Sequence, residues 1–205
     1  MVDILKATDK EVLEIAHQLC EGYKMKRVLR YNTKRDTTVH SESDAEHVFA
    51  LIYLAHYFTE AEPNAKLLDK EKLFSIFTFH DFGEIKHGDI IAYEKTDAHR
   101  ERESEAAKEV FASLPEPINK IGYEFWRQYE EKSSPEGSFA YALDKVEPLF
   151  ELLNPVNEQS LKGLKTTYDM NITHKLNVTE PYPVMRRFVE VISNDMKARG
   201  VFWEE

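Results

Sequence analysis

Cysteine is nearly absent from this 205-residue chain, which contains only Cys20. A single thiol rules out an internal disulfide and favours a reducing compartment, so we expect a cytoplasmic protein. Long apolar runs are missing as well, and the N-terminus lacks a basic segment followed by an apolar one, the pattern of a signal peptide. We therefore expect neither secretion nor membrane association.

The alternation of apolar and polar residues that is typical of β-strands is also absent, and the chain shows neither repeats nor a linker. Apolar residues recur instead at spacings of three and four, which predicts helices. With 42% hydrophobic residues, 205 residues are enough for one core but few for two. We expect a single all-α domain, a helical bundle, over residues 1–205.

Basic residues are outnumbered, 27 against 37 acidic ones, and the formal net charge is −10. Such a surface repels nucleic-acid backbones, so we expect no nucleic-acid polymer as a partner. A small phosphate ester is still compatible with this charge if a metal ion and a few arginines attract it locally. The composition predicts few basic residues around any long pocket.

Helical spacing predicts where the elements lie. A capping box formed by Thr8 and Glu11 begins the first helix. Further helices are expected at about residues 44–58, 73–85, 97–114, 118–132, 135–153 and 184–199, with a short one at 161–170. On the helix expected over residues 118–132, an apolar stripe that includes Ile121 and Tyr129 is expected to face the core.

Three of these helices carry inward-pointing ionisable side chains. On the helix over residues 73–85, His80 continues the apolar stripe, and Asp81 and Glu84 lie within one turn of it. A lone His-Asp pair is more often a core histidine beside a surface aspartate. Here, however, His47 and Asp144 occupy similar positions on two other helices. Two histidines and two aspartates form a mixed nitrogen and oxygen ligand set that suits Mn, Fe, Co, Ni or Zn.

The order of these residues resembles the HD-domain metal-dependent phosphohydrolases. The pattern from His80 through Glu84 to Gly88-Asp89 is similar to the branch that contains the bacterial 5′-deoxynucleotidases and their eukaryotic relatives. The basic-aromatic segment 26–31 and the segment 125–131 resemble the same branch. The resemblance covers about residues 10–153, so residues 154–205 are expected to form a C-terminal helical extension of an HD-type bundle.

The resemblance implies a role for each matching residue. One divalent ion per chain, Mn²⁺ or Co²⁺ first and Ni²⁺, Fe²⁺, Zn²⁺ or Mg²⁺ as alternatives, would be held by His47, His80, Asp81 and Asp144. The attacking water would be activated by Glu84 and the sugar hydroxyl contacted by Asp89. Phosphate and base would be held by Arg30 and Tyr31. This chain has Tyr31 where the family usually has tryptophan, and about two extra residues before His47.

The resemblance implies a 5′-nucleotidase that hydrolyses deoxyribonucleoside 5′-monophosphates, a small-molecule substrate, and that works as a homodimer. A second hypothesis keeps the metal site but changes the ester, giving a phosphodiesterase or a nucleoside triphosphate hydrolase. Those enzymes need more basic residues along a longer pocket. A third hypothesis is a metal-binding scaffold without activity, against which Glu84 and Asp89 both argue.

Overall fold

The computed structural model describes residues 8–30, 42–90, 94–153 and 155–204. Helices dominate this part of the chain, and no strand occurs among the described residues. The helices are α1 (Asp9–Leu19), α2 (Asp44–Ala61), α3 (Lys70–Phe79), α4 (Asp97–Ser113), α5 (Ile118–Glu131), α6 (Pro135–Glu151), α7 (Pro155–Gly163), α8 (Tyr168–Val178) and α9 (Pro183–Ala198). The expectation of an all-α fold is confirmed.

Side-chain caps fix where several helices begin. Thr8 and Glu11 form the predicted capping box of α1, and Ser43 forms a second one with Glu46 at α2. Ser134 caps α6 by accepting a hydrogen bond from a backbone amide, and Pro135 occupies the first turn. The starts of the two helices that carry His47 and Asp144 are therefore set by local chemistry.

The core is built around α6, which packs against α2, α3, α5, α8 and α9. Its buried residues, among them Phe139, Leu143 and Leu149, meet Phe58 of α2 and Met185 of α9. A smaller apolar cluster lies between α4, α5 and the turn after α3, with Phe111 and Trp126 among its members. Within the described residues, no helix combines the length and apolar character needed to span a bilayer.

One predicted helix is wrong in its extent. Instead of running to residue 85, α3 ends at Phe79, and Glu84 lies in a separate 3₁₀ turn, Phe82–Ile85. The Nδ1 of His80 donates a hydrogen bond of 2.9 Å to the carbonyl oxygen of Phe77. A continuing α-helix would offer that oxygen to the amide of Asp81. The side chain of His80 therefore competes for the acceptor at the point where the helix stops.

Two other sequence-based expectations also differ from the structure. The region after residue 154 forms α7 and α8 in place of one short helix over residues 161–170. On α5 the buried residues are Gly122, Trp126 and Tyr129, whereas Ile121 is exposed. The apolar spacing therefore predicted the helix α5 correctly but not the face of it that is buried. Phe111 approaches the α5 backbone closely at Gly122, which has no side chain, so this side of the helix packs into the core.

Candidate metal centre

The two histidines and two aspartates predicted as ligands lie together in the interior. The Nε2 of His47 is 2.9 Å from Oδ1 of Asp144, and the Nε2 of His80 is 3.0 Å from Oδ2 of Asp81. A distance of 3.9 Å joins Nε2 of His80 to Oδ1 of Asp144. All four side chains are buried. Three separate helical segments, α2, the end of α3 and α6, thus bring these groups to one point.

The orientation of His80 leaves a nitrogen lone pair facing a carboxylate. Because its Nδ1 donates to a carbonyl oxygen, the neutral ring carries its proton on Nδ1 and presents Nε2 as an acceptor. Nε2 is buried and has no hydrogen-bond partner among the described residues. The nearest carboxylate oxygen, on Asp81, is an acceptor too. Two acceptors 3.0 Å apart need a cation or a proton between them.

The ring of His47 is held from its other side. The Nδ1 of His47 lies 2.9 Å from Oε2 of Glu147, which is fully within the core. Burial and Arg30 act to lower the pKa of His47, but Glu147 and Asp144 raise it to about 10. Glu147 therefore fixes the ring, and Nε2 faces Asp144 with either a proton or a cation between them.

The two oxygens of Asp144 have different surroundings. Oδ2 accepts a hydrogen bond of 2.5 Å from the Tyr129 hydroxyl and one of 2.6 Å from Lys145 Nζ. Oδ1 is the atom that faces both histidines. Burial acts to raise the pKa of Asp144, but Lys145 and His47 hold it well below its usual range. Asp144 is thus kept ionised, and Oδ1 is directed at the centre.

Three further carboxylates, those of Asp44, Glu84 and Asp89, are buried next to the centre. Both oxygens of Asp44 and Oε2 of Glu84 have no hydrogen-bond partner among the residues the structure describes. Burial and Asp81 raise the pKa of Asp44 to about 8, and the same causes, with Asp89, raise the pKa of Glu84 well above its usual value. This much buried negative charge calls for a cation.

The donor set fits a divalent transition metal. Ligand atoms of His47, His80 and Asp144 lie within 4.8 Å of one another. A second group, formed by ligand atoms of Asp44, Asp81 and Glu84, is equally close together. Imidazole and carboxylate together suit Mn, Fe, Co, Ni or Zn. The unpaired Nε2 of His80 and the neighbouring carboxylates are the groups such an ion would satisfy.

A cavity of about 530 Å³ opens from this centre. The carboxylates of Asp81, Glu84, Asp89 and Asp144 line it, and so does Asn171 of α8. Contrary to the composition-based expectation, basic side chains are numerous along it: Arg30, Lys95, Arg100, Lys132, Lys145 and Lys175. The expectation of few was wrong because the acidic surplus of a whole chain says nothing about which residues face one cavity.

Residues 23–181 match the family model described as HD domain. This chain belongs to the HD domain family. The match extends past residue 153, where the sequence resemblance was expected to end, and so includes α7 and α8. It also contains all four histidines and aspartates of the centre.

Curated relatives of this HD domain protein are named as nucleotidases. The chain is 31% identical over 130 residues to the 5′-deoxynucleotidase HDDC2 of Homo sapiens. The aligned stretch covers 62% of this chain and 61% of that protein. The Bos taurus protein of the same name is 32% identical over 130 residues, 62% of this chain and 60% of the relative. The match therefore spans about three fifths of the length of each.

Solved structures show the same fold. A predicted metal-dependent phosphohydrolase from Magnetospirillum magnetotacticum MS-1 superposes with a TM-score of 0.78 at 23% identity, covering 96% of this chain and 100% of that one. An HD-domain phosphohydrolase from Listeria innocua gives a TM-score of 0.57 at 19% identity, covering 90% and 86%. The HD-type helical bundle is thus confirmed.

Most of the residues predicted to act on the substrate line the cavity of this HD domain protein. Arg30 lines the cavity, with Nη1 3.4 Å from Oδ2 of Asp81 and Nε 3.9 Å from Oδ2 of Asp89. Asp89 is buried and lines the cavity as well. Glu84 does so too, although from the 3₁₀ turn. Tyr31 lies outside the described residues.

Several residues of the centre were missed from the sequence. Glu147 follows Asp144 by three residues on α6, and this spacing on a predicted helix was a usable signal. Asp44 begins α2, where an acidic residue is common on the surface, but here Ser43 forms the cap and the side chain of Asp44 is buried. Lys175 carried no signal, because only the packing of α8 brings it to the cavity.

Proposed function

We propose that this chain is a metal-dependent 5′-nucleotidase that removes phosphate from deoxyribonucleoside 5′-monophosphates. The observation that carries the proposal is the buried Nε2 of His80, which has no hydrogen-bond partner among the described residues. It lies beside Asp81, which lines a cavity large enough for a small molecule. The names of the curated relatives support the ester and the sugar.

One divalent ion per chain would be held by His47, His80, Asp81 and Asp144, with Mn²⁺ or Co²⁺ as the first candidates. When bound, such an ion lowers the pKa of an attacking water and offsets charge on the phosphoryl oxygens. The protein contributes rigid placement of the ligands. Glu147 orients His47, Phe77 orients His80, and the side chains bonded to Oδ2 of Asp144 leave its Oδ1 directed inward.

Glu84 is proposed to accept the proton of the attacking water. It is buried at the cavity wall, and Lys95 Nζ lies 3.9 Å from its Oε1 while Oε2 has no partner among the described residues. Burial and the charges of Asp81 and Asp89 raise the pKa of the Glu84 carboxyl well above its usual value, and a carboxyl with a raised pKa can both take and return a proton. Lys95 also pairs with Glu103, at 2.5 Å, which limits how far the ammonium can move.

Substrate binding is proposed to depend on Arg30, Tyr31 and Asp89. Arg30 is mostly buried at the cavity wall and offers a planar fork of donors to a phosphate. Asp89 is proposed to accept a hydrogen bond from the sugar hydroxyl and so to distinguish deoxyribose from ribose. Tyr31 is proposed to stack on the sugar or base.

We also propose that the protein is a homodimer in the cytoplasm. Phe49, Tyr53 and Tyr57 of α2 are four residues apart and are 73%, 68% and 56% exposed, so they form one aromatic face. A second copy of the chain is the occupant we assign to it. Sedimentation of the wild type should give a dimer, and Tyr53→Glu should give a monomer; an unchanged dimer would place the interface elsewhere.

The proposed activity is tested by a screen of phosphate esters with added Mn²⁺ or Co²⁺. We expect release of phosphate from deoxyribonucleoside 5′-monophosphates, a slower reaction with ribonucleotides, and none from a phosphodiester or from the triphosphate. Asp144→Ala is the inactive control. Cleavage of the diester or triphosphate alone would replace the proposed ester, and no hydrolysis with any metal would favour a metal-binding scaffold.

A further inference from the structure

Lys175 is a buried lysine with no counter-ion in contact. It lies on α8, is 7% exposed, and lines the same cavity as the metal centre. Among the described residues, its ammonium forms neither a hydrogen bond nor an ion pair within 4.0 Å. Buried lysines are normally paired, so an unpaired one facing a cavity marks a place where an anion is missing.

The neighbouring charges make the need for an anion greater. Burial and Lys145 lower the pKa of Lys175 to about 8, and the more distant Asp144 and Glu147 do not fully oppose them. Lys145 differs, because its Nζ is 2.6 Å from Oδ2 of Asp144. Both lysines line the cavity, but of the two only Lys145 has a carboxylate in contact among the described residues.

The turn before α8 and α8 itself also place neutral polar side chains on the cavity wall. Thr166 and Asn171 line it and are buried, and the amide of Asn171 donates to Ser193 Oγ at 3.1 Å. These neutral groups carry no charge that could compensate the ammonium group of Lys175. Two compact point charges without a guanidinium fork match a compact anion with several negative oxygens.

We propose that Lys175, together with Lys145, binds a second phosphoryl group in addition to the one held at the metal centre. This rests on the proposed function, in which the first phosphate lies beside His80 and Asp81. The second group is either part of the substrate, as in a nucleotide with two phosphates, or a free phosphate ion. Both sources share the same chemistry, a phosphate anion seated between two ammonium groups.

Binding is tested without any turnover on the metal-loaded protein. Isothermal titration would compare methylenediphosphonate, which carries two phosphonate groups, with methylphosphonate, which carries one. We expect the wild type to bind the diphosphonate at least about 10-fold more tightly, because a charge-assisted contact is added. Lys175→Met should remove most of this preference and leave methylphosphonate binding unchanged.

Matched controls separate a local effect from a general loss of charge. Lys162→Met removes an exposed lysine of α7 outside the cavity and should keep the preference. Lys175→Gln is a second variant, and circular dichroism checks that each protein is folded. A wild type without the preference, or a Lys175→Met protein that retains it, would overturn the subsite, whereas hydrolysis of the monophosphate would still stand.

Two further arms distinguish the sources. If the substrate carries the group, kcat/KM for release of the 5′-phosphate from a deoxynucleoside 3′,5′-bisphosphate should exceed that for the 5′-monophosphate by about 10-fold, and Lys175→Met should abolish the difference. If the ion is free, titration with inorganic phosphate should give two sites per wild-type chain and one in Lys175→Met. Absence of any hydrolysis would contradict the proposed function, but the diphosphonate titration would still test the second phosphate site.

Discussion

The carboxylate of Glu147 lies 2.9 Å from Nδ1 of His47, one helical turn past Asp144 on α6. A single helix therefore supplies both a proposed metal ligand and the group that orients a second ligand. Because Glu147 is buried, its hydrogen bond is not exchanged for water. Such a carboxylate fixes the tautomer of the ring and increases the basicity of the nitrogen that binds the ion.

Glu147→Gln is expected to lower metal affinity by about 10- to 100-fold with little change in helix content, because the amide can still fill the space but holds the ring less strongly. Competition with a fluorescent chelator would measure the affinity. Glu180→Gln, on an exposed glutamate, is the matched control. Equal affinities in wild type and Glu147→Gln would show that Glu147 does not position His47.

Asp144→Ala should release the ion while most of the helical structure remains, because the core depends on apolar residues of α2, α6 and α9. Metal content by mass spectrometry should fall from about one per chain to nearly none. In the wild type, chelation should lower Tm because an ion that binds only the folded state stabilises it. A stoichiometric ion in Asp144→Ala would contradict the proposed ligand set.

The sequence was sufficient for much of this centre and insufficient for the rest, for physical reasons. His47 and Asp144 could be identified because each interrupts an apolar stripe of a regular helix, where an ionisable residue is conspicuous. The end of α3 at Phe79 could not be predicted, because it involves a hydrogen bond from the His80 side chain to the backbone carbonyl of Phe77. The place of Lys175 at the cavity could not be predicted from the sequence either, since it depends on how α8 packs against α6.

Glu84→Gln should reduce kcat about 100-fold or more, the usual contribution of a positioned base, while metal and substrate still bind. The glutamine keeps the shape of the side chain but cannot take a proton. Steady-state kinetics on a deoxynucleoside monophosphate would measure the loss. Glu105→Gln, on α4, serves as a control, and an unchanged kcat in Glu84→Gln would assign the base to another group.

Arg30→Ala should chiefly raise KM, by about 10-fold or more, with metal content unchanged, because a charge-assisted contact to phosphate is lost. Part of this effect reflects the release of Asp81 and Asp89, which Arg30 faces at 3.4 and 3.9 Å. Arg127→Ala removes an exposed arginine that pairs with Glu131 and is the control. Normal KM in Arg30→Ala would place the phosphate contact elsewhere.

Gly137→Ala should destabilise the protein by roughly 1–3 kcal/mol, because its Cβ would lie 2.2 Å from the carbonyl oxygen of Gln128 and force α5 and α6 apart. Gly163→Ala is the matched control, since nothing lies within 4 Å of its Cβ and alanine favours a helix by up to about 1 kcal/mol. Denaturant unfolding would compare the two. A neutral Gly137→Ala would show that the helices can separate without cost.

The cavity is assembled from two parts of the chain that contribute in different ways. Every proposed metal ligand precedes Lys145, whereas the far wall, with Thr166, Asn171 and Lys175, comes from the turn before α8 and from α8 itself. Substitutions in that later segment can reshape what the cavity accepts without touching the groups that hold the ion. Substrate range in such a protein can therefore diverge while the proposed hydrolytic chemistry is inherited unchanged.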